Sequence, residues 1–226
     1  SIVDLSVSTT SNLGADVTTS GTQTYTGAVT LSGAARTLTT TGDTVTFVST
    51  VDGAQDLTVD TTNSGASSAA TVQFGGVVGG TTPVGAIIIT GNLDLNADIL
   101  QSDNTAGATS VAVSGTSDLG ANVKTTGDQT YTGNTTVSAD ITLTGGAQLT
   151  FAGTVNSSST DSASDIDNLS TVFTETEFDG IVGGTYGLGA TIITGALDLD
   201  AAITSASSLS VSTTSNLAAN VTTSGT

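Results

Sequence analysis

The chain alternates apolar and polar residues in very short runs. LSV at 5–7, VTL at 29–31, VTF at 45–47, LTV at 57–59, VQF at 72–74 and LDL at 93–95 each set two apolar side chains on one side of an extended backbone and a polar one on the other. VAV at 111–113, ITL at 141–143, LTF at 149–151 and LDL at 197–199 continue the pattern. A period of two predicts half-buried strands only a few residues long, punctuated by Gly, Ser, Asn and Asp. No segment of helical length carries apolar residues at i, i+3 and i+4, so the pattern predicts an all-β chain with no helix.

The pattern also repeats at long range. QTYTG occurs at 23–27 and 129–133. FGGVVGG at 74–80 pairs with FDGIVGG at 178–184, and GAIIITGNLDLNADI at 85–99 with GATIITGALDLDAAI at 189–203, both at an offset of 104. The chain therefore holds two units of about 104 residues, approximately 5–110 and 111–208, and the start of a third at 209–226. LSVSTTSNLGADVTTSGT at 5–22 matches 209–226 at 16 of 18 positions, but matches the middle copy at 111–128 at only 10 of 18. The alternate copies are the closer kin. The chain reads as a single continuous slice, 1–226, of a longer tandem array.

Two architectures fit short strands in such units. One is a parallel β-helix, a β-solenoid in which each coil of roughly 20–25 residues adds two or three short strands to ladders from the coil below. The other is a tandem of immunoglobulin-like β-sandwiches, since about 100 residues also make one such domain. The absence of Trp, an aromatic content of 4%, and only two Asp-Gly turn signals, at 52–53 and 179–180, favour the β-helix. No linker marks a unit boundary.

Composition narrows the function. Hydrophobic residues are 36% and charged residues 10%, and Val, Ile and Thr are abundant, which argues for a folded chain rather than a disordered one. With no His and no Cys, the usual ligands of zinc, haem and iron–sulfur clusters are missing, and so is the base of Ser–His and Cys–His pairs. A formal charge of −18, with Arg36 and Lys124 the only cations, argues against nucleic-acid binding. No apolar run is long enough to predict a membrane span. Paired carboxylates could in principle hydrolyse glycosides. Two lone cations in different units and a repeated array instead predict that the chain is not an enzyme.

Longer strings carry a resemblance. TTSGTQTYTGAVTLSG at 18–33, TVTFVSTVDGAQDLTV at 44–59 and TVSADITLTGGAQLTFAGTV at 136–155 resemble the repeat regions of filamentous-haemagglutinin-type bacterial surface adhesins. The resemblance covers most of the chain. It implies a right-handed parallel β-helix, a location outside the cell on the bacterial surface, and a structural or adhesive role. The partners it suggests are the chain itself, end to end or laterally in a filament, and a surface polysaccharide or host receptor. A multivalent carbohydrate- or receptor-binding module and a self-polymerising sheath or matrix fibre are the alternative functions.

Three sets of residues are candidate sites. Asp161, Asp165, Asp167, Glu175, Glu177 and Asp179 gather carboxylates of the kind that could hold calcium, but the aligned stretch of the first unit has only Asp52, Asp56 and Asp60, so a solvated loop is the favoured reading and no cofactor is expected. Asp94 and Asp98, with Asp198 and Asp200, lie in and just after the two LDL segments and are expected on the solvent side of their strands, as a surface carboxylate ladder. Tyr25 and Tyr131 share one place in QTYTG, where an exposed ring could stack on a sugar and a buried one would fill a corner.

Overall fold

In the computed structural model, which describes residues 2–62, 70–158 and 166–225, the chain is a β-solenoid of about ten turns with no helix. Among the described residues every ladder between strands is parallel, the isolated bridge Leu100–Ala106 alone being antiparallel. That overturns the immunoglobulin-like alternative, whose sheets are antiparallel. The physical reason lies in the scarcity of hairpin turns: a chain that cannot reverse tightly must travel around before it pairs, and then it pairs parallel. All ten of the short alternating segments read from the sequence lie in strands.

Three faces run the length of the rod, and each coil visits them in one order. The first face stacks Leu5, Gln23, Val45, Val72, Leu93, Ser117, Thr135 and Val155. The second stacks Ser11, Val29, Val51, Val78, Ile99 and Val123, then Leu143, Thr171, Ile193 and Val211. The third stacks Val17, Leu38, Val59, Ile89, Val113, Tyr131, Phe151, Phe178, Leu199 and Leu217. Coils vary more than the expected 20–25 residues: 18 separate Leu5 from Gln23, and 30 separate Leu57 from Ile87. The variation falls between strands, so the ladders keep register while the connections change length.

The inward residues of all three faces form one core. It is built mainly of Val, Leu and Ile, with two short aromatic stacks inside it. Tyr25, Phe47 and Phe74 lie one above another on the first face, with ring centroids 5.3 and 5.1 Å apart. Tyr131, Phe151 and Phe178 do the same on the third face, at 5.3 Å and 5.3 Å. The separation follows from the ~4.8 Å spacing of paired strands, which sets aromatic residues in register into offset stacks.

The two stacks are equivalent in sequence yet lie on different faces. From Leu5 the chain returns to the first face at Gln23, Val45, Val72 and Leu93, then reaches Val111 on the third face without completing a fifth turn. From Val111 it returns to the third face at Gln129, Leu149, Thr176 and Leu197, and then reaches Leu209 on the second. Each unit is thus four turns and two faces long. Consecutive copies of the unit begin on the first, third and second faces in turn.

The FGGVVGG and FDGIVGG strings have a geometric cause. Gly79 and Gly183 have φ of +71° and +70°. A Cβ there would lie 1.9 Å from the Gly107 carbonyl oxygen and 2.0 Å from that of Ser205. Only glycine permits both the left-handed backbone and so close a neighbour.

Candidate functional site

The outward row of the first face carries Thr24, Thr46, Gln73, Asp94, Asp118, Thr136 and Asn156 on successive coils. Side chains about 4.8 Å apart in such a row must satisfy one another. In the first unit Gln73 and Asp94 do. The Gln73 amide donates to Asp94 Oδ2 at 2.8 Å, and the Asn96 amide donates to Asp94 Oδ1 at 2.7 Å. Leu93 and Leu95 on either side of Asp94 are buried, so the LDL segment faces as expected.

The second unit alters this arrangement. Glu177 stands where the first unit has Gln73, Asp200 where it has Asn96, and Asp179 where it has Gly75, around Asp198 in place of Asp94. Amide donors have become carboxylates. Glu177, Asp179 and Asp200 bring carboxylate oxygens within 4.8 Å of one another. The charge is partly met: Gln148 donates to Glu177 Oε2 at 2.8 Å, Thr150 donates to it at 3.0 Å, and Asn216 donates to Asp198 at 2.9 Å. Desolvation, and then the neighbouring charges of Asp179, Asp198 and Glu175, push the Glu177 carboxyl above its usual range. Such a group of oxygens has the chemistry of a hard-cation ligand set. It joins Glu177 and Asp179 of one predicted set to Asp200 of another, with Asp198 beside Glu177 in register, a meeting that no linear reading could supply. Asp167 is elsewhere, accepting from Ser157 Oγ at 3.1 Å, while Asp161 and Asp165 lie outside the described residues.

Asp98 belongs to a different arrangement. It accepts from the backbone N–H of Asn122, one coil on, at 2.9 Å. The same bond recurs along the rod. Asp4 accepts from Thr22 N–H at 2.8 Å, Asp16 from Thr37 at 2.9 Å, Asp56 from Ala86 at 2.8 Å, Asp128 from Gln148 at 2.9 Å and Asp140 from Asn168 at 2.8 Å. Asn92, Asn122 and Asn134 do the same for Thr116, Thr142 and Thr154. These side chains bracket adjacent coils at the corners, where the backbone turns away from the ladder and its N–H needs another acceptor. Asp98 is therefore no free rung of a surface ladder, which corrects the reading of it as one of four such carboxylates. The signal was present in the sequence: the bracket immediately precedes the first inward residue of a strand, as in Asp16–Val17, Asp98–Ile99, Asn122–Val123 and Asp140–Ile141.

Tyr25 and Tyr131 are fully buried, the second of the two readings open to them, which corrects their candidacy as ligand contacts. Each hydroxyl donates to a buried glutamine, Tyr25 to Gln23 Oε1 at 3.0 Å and Tyr131 to Gln129 Oε1 at 3.2 Å. The glutamine amide in turn donates to a main-chain carbonyl of the next coil, Thr39 O at 3.0 Å or Thr144 O at 2.9 Å. The QTYTG repeat is thus an internal polar staple. Burial pushes the Tyr25 phenol up to about 12 and raises that of Tyr131 further.

No family model, curated protein or solved structure matches this chain. Arg36 is almost entirely buried and gives its guanidinium to the carbonyls of Leu13, Ser32 and Ala35. Lys124 donates to the Asn104 carbonyl at 2.6 Å. The third tyrosine, Tyr186, lies outside the QTYTG repeat and carries no repeat signal in the sequence. It is 45% exposed and borders a polar depression of about 440 Å³ on the first face.

Proposed function

We propose that this chain is a non-enzymatic segment of an extracellular bacterial surface filament or stalk. The observation that carries the reading is the unbroken stacking of all three faces through both units, with the strand Ala108–Val113 straddling the boundary between them. A rod built this way has no hinge between repeats. Each added unit lengthens it by four and two-thirds coils, roughly 22 Å at the ~4.8 Å strand spacing. Such a rod is a spacer, holding whatever it carries at a fixed distance from the cell.

The surface chemistry supports an exposed setting. Asp and Glu total 20 against 2 cations, so rods repel one another and stay dispersed, and the chain has no Cys that oxidation could cross-link. The resemblance to filamentous-haemagglutinin-type repeats points the same way. The test is labelling of intact, unpermeabilised producing cells with an antibody against this chain, followed by cryo-electron microscopy of the labelled structures. The expected result is surface filaments with a continuous ~4.8 Å axial repeat. Label confined to permeabilised cells, or beaded filaments, overturns the reading.

A further inference from the structure

The depression beside Tyr186 has a ligand chemistry of its own. It lies over the first face, where Asp118, Thr136 and Asn156 stand outward on successive coils, with Asn134 and Thr154 along one edge. Tyr186 stands at its border. The backbone that carries this ring is fixed to the coil beneath: the N–H groups of Thr185 and Tyr186 donate to Asn156 Oδ1 at 2.9 and 3.3 Å, and Ser157 N–H donates to the Tyr186 carbonyl at 3.3 Å. Among the described residues, Tyr186 is the one exposed aromatic side chain.

We propose that this groove binds an uncharged glycan chain, laid along the rod axis with one sugar against the Tyr186 ring. An exposed ring offers an apolar face to the C–H side of a pyranose, and the amide, hydroxyl and carboxylate groups beside it match sugar hydroxyls. The rows advance about 4.8 Å per coil, close to the length of one sugar in an extended chain. The groove is lined by a carboxylate and by no cation, which disfavours acidic polysaccharides. The first unit supplies an internal comparison. Its Asp52 takes the N–H groups of Thr81 and Thr82 at 2.8 and 3.1 Å, as Asn156 takes those of Thr185 and Tyr186, but Thr82 stands where the ring would be. The scaffold is present twice and the aromatic platform once.

This inference goes beyond the stalk reading, since a rod that binds no sugar is still a rod. The experiment titrates the purified 226-residue chain with cellohexaose, laminarihexaose, maltohexaose, mannohexaose and, as the acidic comparison, hexagalacturonate. Binding is followed by calorimetry and by saturation-transfer NMR on the tyrosine resonances. The expected result is saturable binding of at least one neutral hexasaccharide, weakened about tenfold in Tyr186→Ala, near normal in Tyr186→Phe and unchanged in Thr82→Ala. Thr136→Arg, which fills the groove without touching the core, is expected to abolish binding with the circular dichroism spectrum unaltered. Silence toward all four neutral sugars, equal binding by Tyr186→Ala, or preference for hexagalacturonate overturns the proposal.

Discussion

Single residues in this rod are decided by which side of a strand they occupy. Gln23 and Gln129 are polar yet fully buried, and they are tolerated because each has its amide and carbonyl hydrogen bonded. The tyrosines they hold make stability depend on alkaline pH. In the unfolded chain a phenol ionises near its ordinary value of about 10, and in the fold Tyr25 ionises only at about 12. The unfolded state therefore loses its proton first, and stability that is full below about pH 10 falls as pH rises toward 12, by about 2–3 kcal/mol from Tyr25 alone. Urea unfolding across this range checks the slope. Glu177 gives an effect of its own in the acid range. Its folded pKa is raised, so the charged form destabilises the fold, and stability is recovered as pH falls through that value. Glu177→Gln, which restores the amide that the first unit has at Gln73, is expected to stabilise at neutral pH by no more than about 1 kcal/mol, since the group is partly exposed. The gain should vanish below the ordinary carboxylate range, as melting curves at neutral and acid pH would show.

At the scale of strands and corners, the acidic residues that dominate the net charge are largely structural. A carboxylate or carboxamide at a corner is an acceptor for the N–H of the coil above, and the fold uses either. That equivalence predicts a clean separation of effects at Asp98. Asp98→Asn keeps the acceptor and is expected to cost little, as Asn92 and Asn134 already show the amide in the same role. Asp98→Ala leaves the Asn122 N–H without its acceptor and is expected to cost about 1–2 kcal/mol. Chemical denaturation of the two variants distinguishes them. Equal losses in both would show that the charge matters rather than the bracket.

For the whole molecule, the length of the unit sets how surface features are distributed. A unit of four turns and two faces cannot repeat on one side of the rod. Equivalent residues step from the first face to the third and then to the second, so each unit displays its chemistry in a new direction. Spin labels at Thr24→Cys and Thr130→Cys, equivalent places on different faces, are expected to give a distance longer than the roughly 22 Å of axial rise between them. Labels at Thr24→Cys and Asp118→Cys, four turns apart on one face, should give about 19 Å, the axial rise alone. Distances matching axial rise in both pairs would mean that the units stack without rotation.

The all-β class, the ten alternating segments that fall in strands and the two-unit repeat were legible in the sequence because they are local or periodic, whereas the longer strands that enclose some of them, such as Leu188–Leu199 around LDL at 197–199, were not. Alternation places LTV at 57–59 and LDL at 93–95 whatever surrounds them. Parallel stacking was legible more indirectly, from the rarity of tight turns. What the sequence could not decide was which residues meet across coils. The spacing from Leu149 to Thr176 is 27 residues and from Thr176 to Leu197 is 21, and only the ladder register brings Glu177 beside Asp198 and sets Asp179 against Asp200. The same holds for the tyrosines. QTYTG gives an alternating strand but not the side it buries, and Tyr25 is interior because Phe47 stacks beneath it in register. Coil connections of variable length cost little, since loop entropy grows slowly with length. The alternating Val, Leu and Ile triplets therefore declared their strands and inward sides locally, while the burial of QTYTG, the face each unit occupies and the neighbours it gains emerged only once the coils were closed and stacked.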